Sequence, residues 1–351
     1  MNRRELLKHL LQTSGGLIAV SVLGGCQSKS IDPLFLLSLM NPETSLPDHL
    51  ITPLEEFYVQ SYALPSTVKA DKWQLKIKGA VETPLTLTLQ DVLQAPQEDF
   101  HLTMECIGNP AGGNLIGNAL WTGTPLLTFL KQAGVRSDVQ EFALKGADWY
   151  ETTLPVDDVM RADVRLVHRM NKESLTAAHG YPMRLIVPGH YGQKQPKWIV
   201  EIEAITKPKT GFWENQGWSN TAEISTHALM RQVQETRVWN RQNQVNVSRD
   251  GETGWQKGVL LAGVALDRSS PIDAIEVSTD NGVSWNLANQ NRPDSPHEWT
   301  LWRYLWKPQQ PGKYILLARA KSDRQQQPLE DANGKDGSSG ILKIQVTLQN
   351  S

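Results

Sequence analysis

Between positions 73 and 79 polar and apolar residues alternate, as Trp73-Gln74-Leu75-Lys76-Ile77-Lys78, and the run stops at Gly79. A period of two puts the apolar side chains on one face of an extended chain, so this stretch predicts a strand. After Thr124-Pro125 the spacing changes: Leu126, Leu127, Phe129 and Leu130 recur at helical intervals, and Gly134 closes the run. That pattern predicts a helix with Thr124 as its cap, Pro125 in its first turn and Gly134 as its stop. A second strand is expected over 183–187, between Pro and Gly punctuation. From about Trp218 the texture becomes short apolar or alternating runs, at 259–265, 274–278, 301–306 and 314–319, with Asp280-Asn281-Gly282 marking a hairpin. These runs predict a β-sandwich, so the chain reads as an α+β domain followed by an all-β one. Trp302, Tyr304 and Trp306 share a face of their strand, which can be core or interface.

The first 26 residues follow a different rule. Arg3-Arg4, the apolar run 17–23 and Gly24-Gly25-Cys26 make an export signal too short to span a membrane. Asn2-Arg3-Arg4-Glu5-Leu6-Leu7-Lys8 resembles a twin-arginine signal, and Leu23-Gly24-Gly25-Cys26 resembles a lipobox, so Cys26 is the expected lipid attachment point. The expected organisation is therefore an export signal over 1–25, a tether over 26–48 and domains over 49–217 and 218–351. The destination is the periplasmic face, with a membrane anchor through lipid.

Composition narrows the function. Of 351 residues, 39% are hydrophobic and 21% charged, as in a soluble globular protein. With 35 basic against 37 acidic residues there is no cationic excess to neutralise a phosphate backbone, which argues against nucleic acid as a partner. The chain has two cysteines, so a lipidated Cys26 leaves Cys106 alone and without a disulfide.

Cys106 sits in His101-Leu102-Thr103-Met104-Glu105-Cys106-Ile107-Gly108-Asn109-Pro110. The sequence places the thiol at a strand end where the backbone turns sharply and its N–H groups can approach a cofactor. By residue type alone it can be a nucleophile with His101 or His179 as base, a soft-metal ligand or an inert core thiol. One cysteine with scattered histidines lacks the ligand spacing of a zinc site, and the cysteine patterns of c-type haem and iron–sulfur proteins are missing. Any metal must bring most of its own ligands. A second cluster, from His179 through Arg184 to Lys197, sets cations beside Gly-rich turns, which suits a phosphate.

Thr103-Met104-Glu105-Cys106-Ile107-Gly108-Asn109, Trp121-Thr122-Gly123-Thr124-Pro125-Leu126, His179-Gly180-Tyr181-Pro182-Met183-Arg184 and Lys197-Trp198 together resemble the sulfite oxidase family of molybdopterin enzymes. The resemblance implies a molybdopterin-binding oxidoreductase domain followed by an immunoglobulin-like dimerisation domain, and hence a homodimer. It implies a Mo-molybdopterin cofactor, one molybdenum and one pterin, with Cys106 as the protein's metal ligand. It also implies pterin and phosphate contacts from Tyr58, Val59, Gln60, Ser61, Tyr62, Asp148, His179, Arg184, Gln195, Pro196 and Lys197, with Tyr150 on the substrate side. Where the family carries arginines, this chain has Gln60, Pro110 and Ala111. That argues against sulfite and for another anion or a neutral S-oxide or N-oxide, unless Lys194, His190 or Arg169 restores the charge. Without a recognisable haem segment, a separate electron carrier is expected. The competing expectation is a lipoprotein that keeps the fold as a non-catalytic binding module.

Overall fold

The computed structural model describes residues 46–64, 68–234, 236–238, 244–249, 254–331 and 333–350. The expected export signal, Cys26 and nearly all of the tether lie outside the described residues.

In chain order the first half carries β1 (Gln74–Gly79), β2 (Leu85–Thr88), β3 (Glu98–Glu105), β4 (Ile116–Pro125), β5 (Glu141–Gly146), β6 (Glu151–Pro155), β7 (Arg165–Met170), β8 (Glu173–Ser174), β9 (Arg184–Ile186) and β10 (Ile199–Ile205). One sheet runs β2-β1-β10-β5-β6, and the other runs β3-β4-β7-β8 with β9 attached to β7. As the alternation requires, Leu75 and Ile77 of β1 point into a core, where they meet Phe142, Leu144 and Ile202 of β5 and β10. Beside β1 in the same sheet lies β10, parallel and more than a hundred residues away in sequence.

The described helices are few and short: α1 (Leu89–Gln94), α2 (Leu126–Ala133), α3 (Val156–Val159) and α4 (Phe212–Asn215). The chain is thus mostly β, and the α+β expectation holds only coarsely. In α2 the buried face is Leu126, Phe129, Leu130 and Ala133, and Gly134 stops the helix with a left-handed φ of 69°. The expected cap is displaced: Pro125 occupies the N-cap position with no side-chain bond. Thr124 belongs to β4, and its hydroxyl donates to the Val92 carbonyl and accepts from Gln97.

The second half adds β11 (His227–Val233), β12 (Thr236–Arg237), β13 (Gln244–Val247), β14 (Val259–Leu266), β15 (Ala274–Ser278), β16 (Asn286–Leu287), β17 (Asn289–Gln290), β18 (Thr300–Trp306), β19 (Gly312–Lys321) and β20 (Ile344–Leu348). They form two sheets, β12-β11-β14-β18-β17 and β13-β20-β19-β15-β16. One core takes side chains from both, including Val259, Leu261, Ile275, Val277, Leu316 and Ile344. Trp302 and Trp306 are buried in it, with Tyr304 packed against them, so this shared face is core. The Asp280-Asn281-Gly282 turn closes a β15–β16 hairpin, with Asn281 and Gly282 at φ of 60° and 91°.

A third apolar cluster fastens the halves together. Ile107, Ile116 and Tyr191 of the first meet Leu229, Val264, Leu266 and Trp299 of the second, and Leu50 of the N-terminal arm joins them. No helix among the described residues is long and apolar enough to cross a membrane.

Candidate functional site

The turn after β3 presents the thiol. Cys106 follows the last strand residue, its N–H donates to the Leu115 carbonyl, and its carbonyl accepts from the Asn109 N–H. Asn109 is the keystone of this turn: Nδ2 donates to Oε1 of Glu105 at 2.8 Å, and Oδ1 accepts from Leu115 N–H at 2.9 Å. Gly113 is required for close approach, because a Cβ there would lie 2.2 Å from Oδ1 of Asn109. The opposite oxygen of Glu105 is 3.1 Å from Nε2 of His227, a β11 residue, and both side chains are almost fully buried. Burial lowers the pKa of His227, but the Glu105 charge and hydrogen bond outweigh it and leave the imidazole raised.

Cys106 opens on a cavity of about 360 Å³. Every residue expected at the cofactor or substrate side lines this cavity except Val59. Tyr58, Gln60, Ser61 and Tyr62 face it, whereas the Val59 side chain is 50% exposed to solvent.

On one side of the cavity lies a cationic corner. Arg184 is 4% exposed. Its Nη1 donates to the His179 carbonyl at 3.2 Å, its Nη2 reaches Sδ of Met104 at 3.1 Å, and its guanidinium lies 5.4 Å from the Trp121 ring centroid. Nε is buried without a hydrogen-bond partner, and no carboxylate pairs with this arginine among the described residues. Burial pulls its pKa down to about 10. Nζ of Lys197 donates to Ser61 at 2.5 Å and to the Ala178 carbonyl at 2.8 Å. Its pKa is lowered to about 7 by burial first and then by the Arg184 charge. His179, packed edge-on against Phe57, is lowered to about 4 by burial and by both cations, so it is neutral. A buried guanidinium with no acid beside it is costly unless an anion arrives.

Acceptors line the neighbouring wall. Gln195 spends Nε2 on the His190 carbonyl at 2.6 Å and keeps a buried Oε1 with no donor, as does Gln193. Burial raises the carboxyl of Asp148, partly countered by its bond from Tyr150 N–H and by Lys197. A group with a phosphate at one end and several ring N–H donors satisfies all of these atoms, and an accessible thiol stands ready for a soft metal. The residues present therefore fit molybdopterin.

The wall nearest Cys106 is apolar. Ile107, Leu115, Trp213 and Trp218 line it, and the rings of Tyr62, Phe212, Trp213 and Trp218 contact one another in sequence at 4.5, 5.0 and 6.3 Å. Tyr150 donates its hydroxyl to the Gln193 carbonyl at 2.6 Å, and burial raises its pKa well above the usual phenol value. The cations that could have restored charge lie elsewhere. Lys194 is fully buried against Glu214 and donates to the Thr153 carbonyl at 2.9 Å. Nδ1 of His190 lies 2.9 Å from the Thr221 carbonyl oxygen, and Arg169 is exposed on β7. Burial also raises the Cys106 thiol, contrary to what a free nucleophile needs, and His101 stacks on His49.

Sequence reasoning missed Gln193, Leu115, Trp213 and Trp218, which no local motif announces. Nor does the sequence show what Glu105 does: its carboxylate ties the thiol's turn to the second half.

Residues 61–213 match the family of the oxidoreductase molybdopterin binding domain. The chain is 27% identical to the mitochondrial sulfite oxidase of Drosophila melanogaster over 294 residues, covering 73% of this chain and 51% of the relative. It is 26% identical to the human mitochondrial sulfite oxidase, covering 75% and 54%. It is also 27% identical to a nitrate reductase (NADPH) of Aspergillus niger, covering 71% and 33%. The chain thus spans about half the length of these sulfite oxidases. Among solved structures it resembles the sulfane dehydrogenase SoxCD of Paracoccus pantotrophus, with a TM-score of 0.70 and 21% identity over 86% of this chain and 84% of that one.

Proposed function

We propose that the chain, as a molybdopterin oxidoreductase of the sulfite oxidase family, exchanges an oxygen atom or two electrons with a small molecule at a molybdenum centre ligated by Cys106. The observation that carries this reading is the shared cavity: one thiol, one buried guanidinium without an acid, and buried acceptors without donors. When bound, the molybdenum supplies the oxygen-atom and electron chemistry.

The protein's own residues hold and orient. Arg184 offers a fork and Lys197 a point charge to the phosphate, while Gln195 and Asp148 accept from pterin N–H groups. His179, neutral, adds a hydrogen bond. Cys106 contributes a thiolate, which the metal's charge stabilises against the burial that otherwise keeps it protonated. The aromatic wall shields the reacting side from water, and Tyr150 presents a neutral phenol there.

The substrate we propose is a neutral S-oxide or N-oxide rather than sulfite. A small dianion held by cations gains roughly 1.5–3 kcal/mol per charge-assisted contact, whereas Trp213 and Trp218 line the cavity and the neutral Gln60 stands in its wall. Lys194, already committed to Glu214, cannot supply the charge. The wider proposal is an exported lipoprotein anchored through Cys26, divided at about 217 into a cofactor domain and an immunoglobulin-like dimerisation domain. It exchanges electrons with a separate carrier.

Molybdenum analysis of the wild-type protein and of Cys106→Ser, made in cells that synthesise the cofactor, tests the centre. The wild type should carry one molybdenum per chain, and the variant should lose turnover. Wild-type protein without molybdenum sinks the proposal. Screening sulfite against S-oxides and N-oxides with artificial electron carriers tests the substrate, and fast sulfite turnover would overturn that part alone.

A further inference from the structure

Far apart in sequence, His49 of the arm, His101 of β3 and Glu298 before β18 come together where the arm meets both halves. The two imidazole rings stack with centroids 3.9 Å apart and planes 21° from parallel. Nδ1 of His49 lies 2.9 Å from Oε2 of Glu298, whose side chain is 1% exposed. One candidate ligand atom from each of the three lies within 4.8 Å of the others.

Hydrogen bonds hold the frame around them. Thr103 N–H donates to the His297 carbonyl, and Trp299 N–H donates to the Thr103 hydroxyl, so β3 and the 297–299 segment are held together on both sides of Glu298. Asn118 donates Nδ2 both to Oε1 of Glu298 at 2.7 Å and to the Leu50 carbonyl at 3.2 Å, which pins the carboxylate and the arm together. Nε2 of His101 is shut off from solvent and has no hydrogen-bond partner among the described residues. A proton on His49 can serve Glu298 but does nothing for the second ring stacked on it. A cation can be shared by all three groups.

We propose that His49, His101 and Glu298 bind one divalent metal ion of the zinc type. Two imidazole nitrogens and a carboxylate oxygen suit such borderline ions, and soft or purely oxygen-loving metals fit them less well. At metal–ligand distances of about 2.0–2.2 Å, ligand atoms of one tetrahedral ion sit roughly 3.4 Å apart, so side-chain shifts of about an ångström complete the site. Asp294, close enough for its charge to act on both His101 and Glu298, or a water is the natural fourth ligand. The ion clamps the arm to both halves.

The test uses full-length, cofactor-loaded protein, washed with chelator and reloaded with Zn²⁺. The expected result is one zinc per chain beyond the molybdenum, with a zinc-edge absorption spectrum showing two histidine nitrogens and carboxylate oxygen. His101→Gln and Glu298→Gln should each weaken Zn²⁺ binding by roughly 100-fold or more in competition with a chromophoric chelator. Added Zn²⁺ should raise the Tm of the wild type and leave both variants unchanged. Reloaded wild type without zinc, zinc lacking histidine in its shell, or uptake unaffected by both substitutions overturns the proposal. Because the wild-type spectrum is informative alone, a variant that fails to fold does not protect the idea.

Discussion

If the proposed cofactor site is right, Arg184 is the side chain on which cofactor retention turns. Replacing it with Ala removes a buried charge-assisted fork worth roughly 1.5–3 kcal/mol, or about tenfold to hundredfold in affinity. Arg184→Ala should therefore emerge from purification with far less molybdenum and pterin per chain, measured by elemental analysis and pterin fluorescence. Arg184→Lys should recover only part, because an ammonium lacks the fork. Lys197 adds a dependence on pH. Its folded value of about 7 lies below the ordinary 10.5, so between these limits the unfolded chain binds more protons than the cofactor-free folded one. In that window cofactor-free stability should rise with pH, and Lys197→Met should flatten the slope, as read from denaturation midpoints. That these two residues face one cavity was legible in their cluster of cations beside Gly-rich turns. Trp213 and Trp218 were not, since an aromatic looks alike in a core and in a cavity wall until the chain has folded.

Strands and turns depend on a few backbone positions. In Gly113→Ala the new methyl would strike Oδ1 of Asn109 at 2.2 Å, so the turn carrying Cys106 must shift. The expected outcome is a loss of more than about 2 kcal/mol of stability, measured in urea, together with lower molybdenum content. Gly134→Ala is a control remote from the cavity. It forces a left-handed φ and meets Glu82 at 3.0 Å, so roughly 1–2 kcal/mol of stability should go while cofactor content stays. Alternation in β1 and the glycine stop of α2 were readable because each signal lies within one element. The pairing of β1 with β10 was not, because a period of two shows which face is buried and says nothing of what covers it. The displaced cap has the same origin: Thr124 is a good cap locally, but strand β4 claims its backbone and Val92 and Gln97 its hydroxyl.

Across the whole molecule, the link that matters is the buried Glu105–His227 pair. Losing one partner of such a pair costs about 3–5 kcal/mol, so His227→Leu should destabilise the protein severely, whereas Glu105→Gln with His227→Gln should lose less. Urea titrations of both variants would show it. Because the His227 pKa is raised by folding, its stabilisation is complete below the ordinary 6.5 and fades as pH climbs through the raised value. Contacts of this range, like the assembly of His49, His101 and Glu298, escape any rule based on ligand spacing, since only the folded chain makes them neighbours. The apolar cluster that fastens the halves carries a practical corollary. A fragment begun at 218 would present Leu229, Val264, Leu266 and Trp299 bare to water, so attempts to produce either half separately should yield aggregating pieces, and calorimetry of the intact chain should record one melting event.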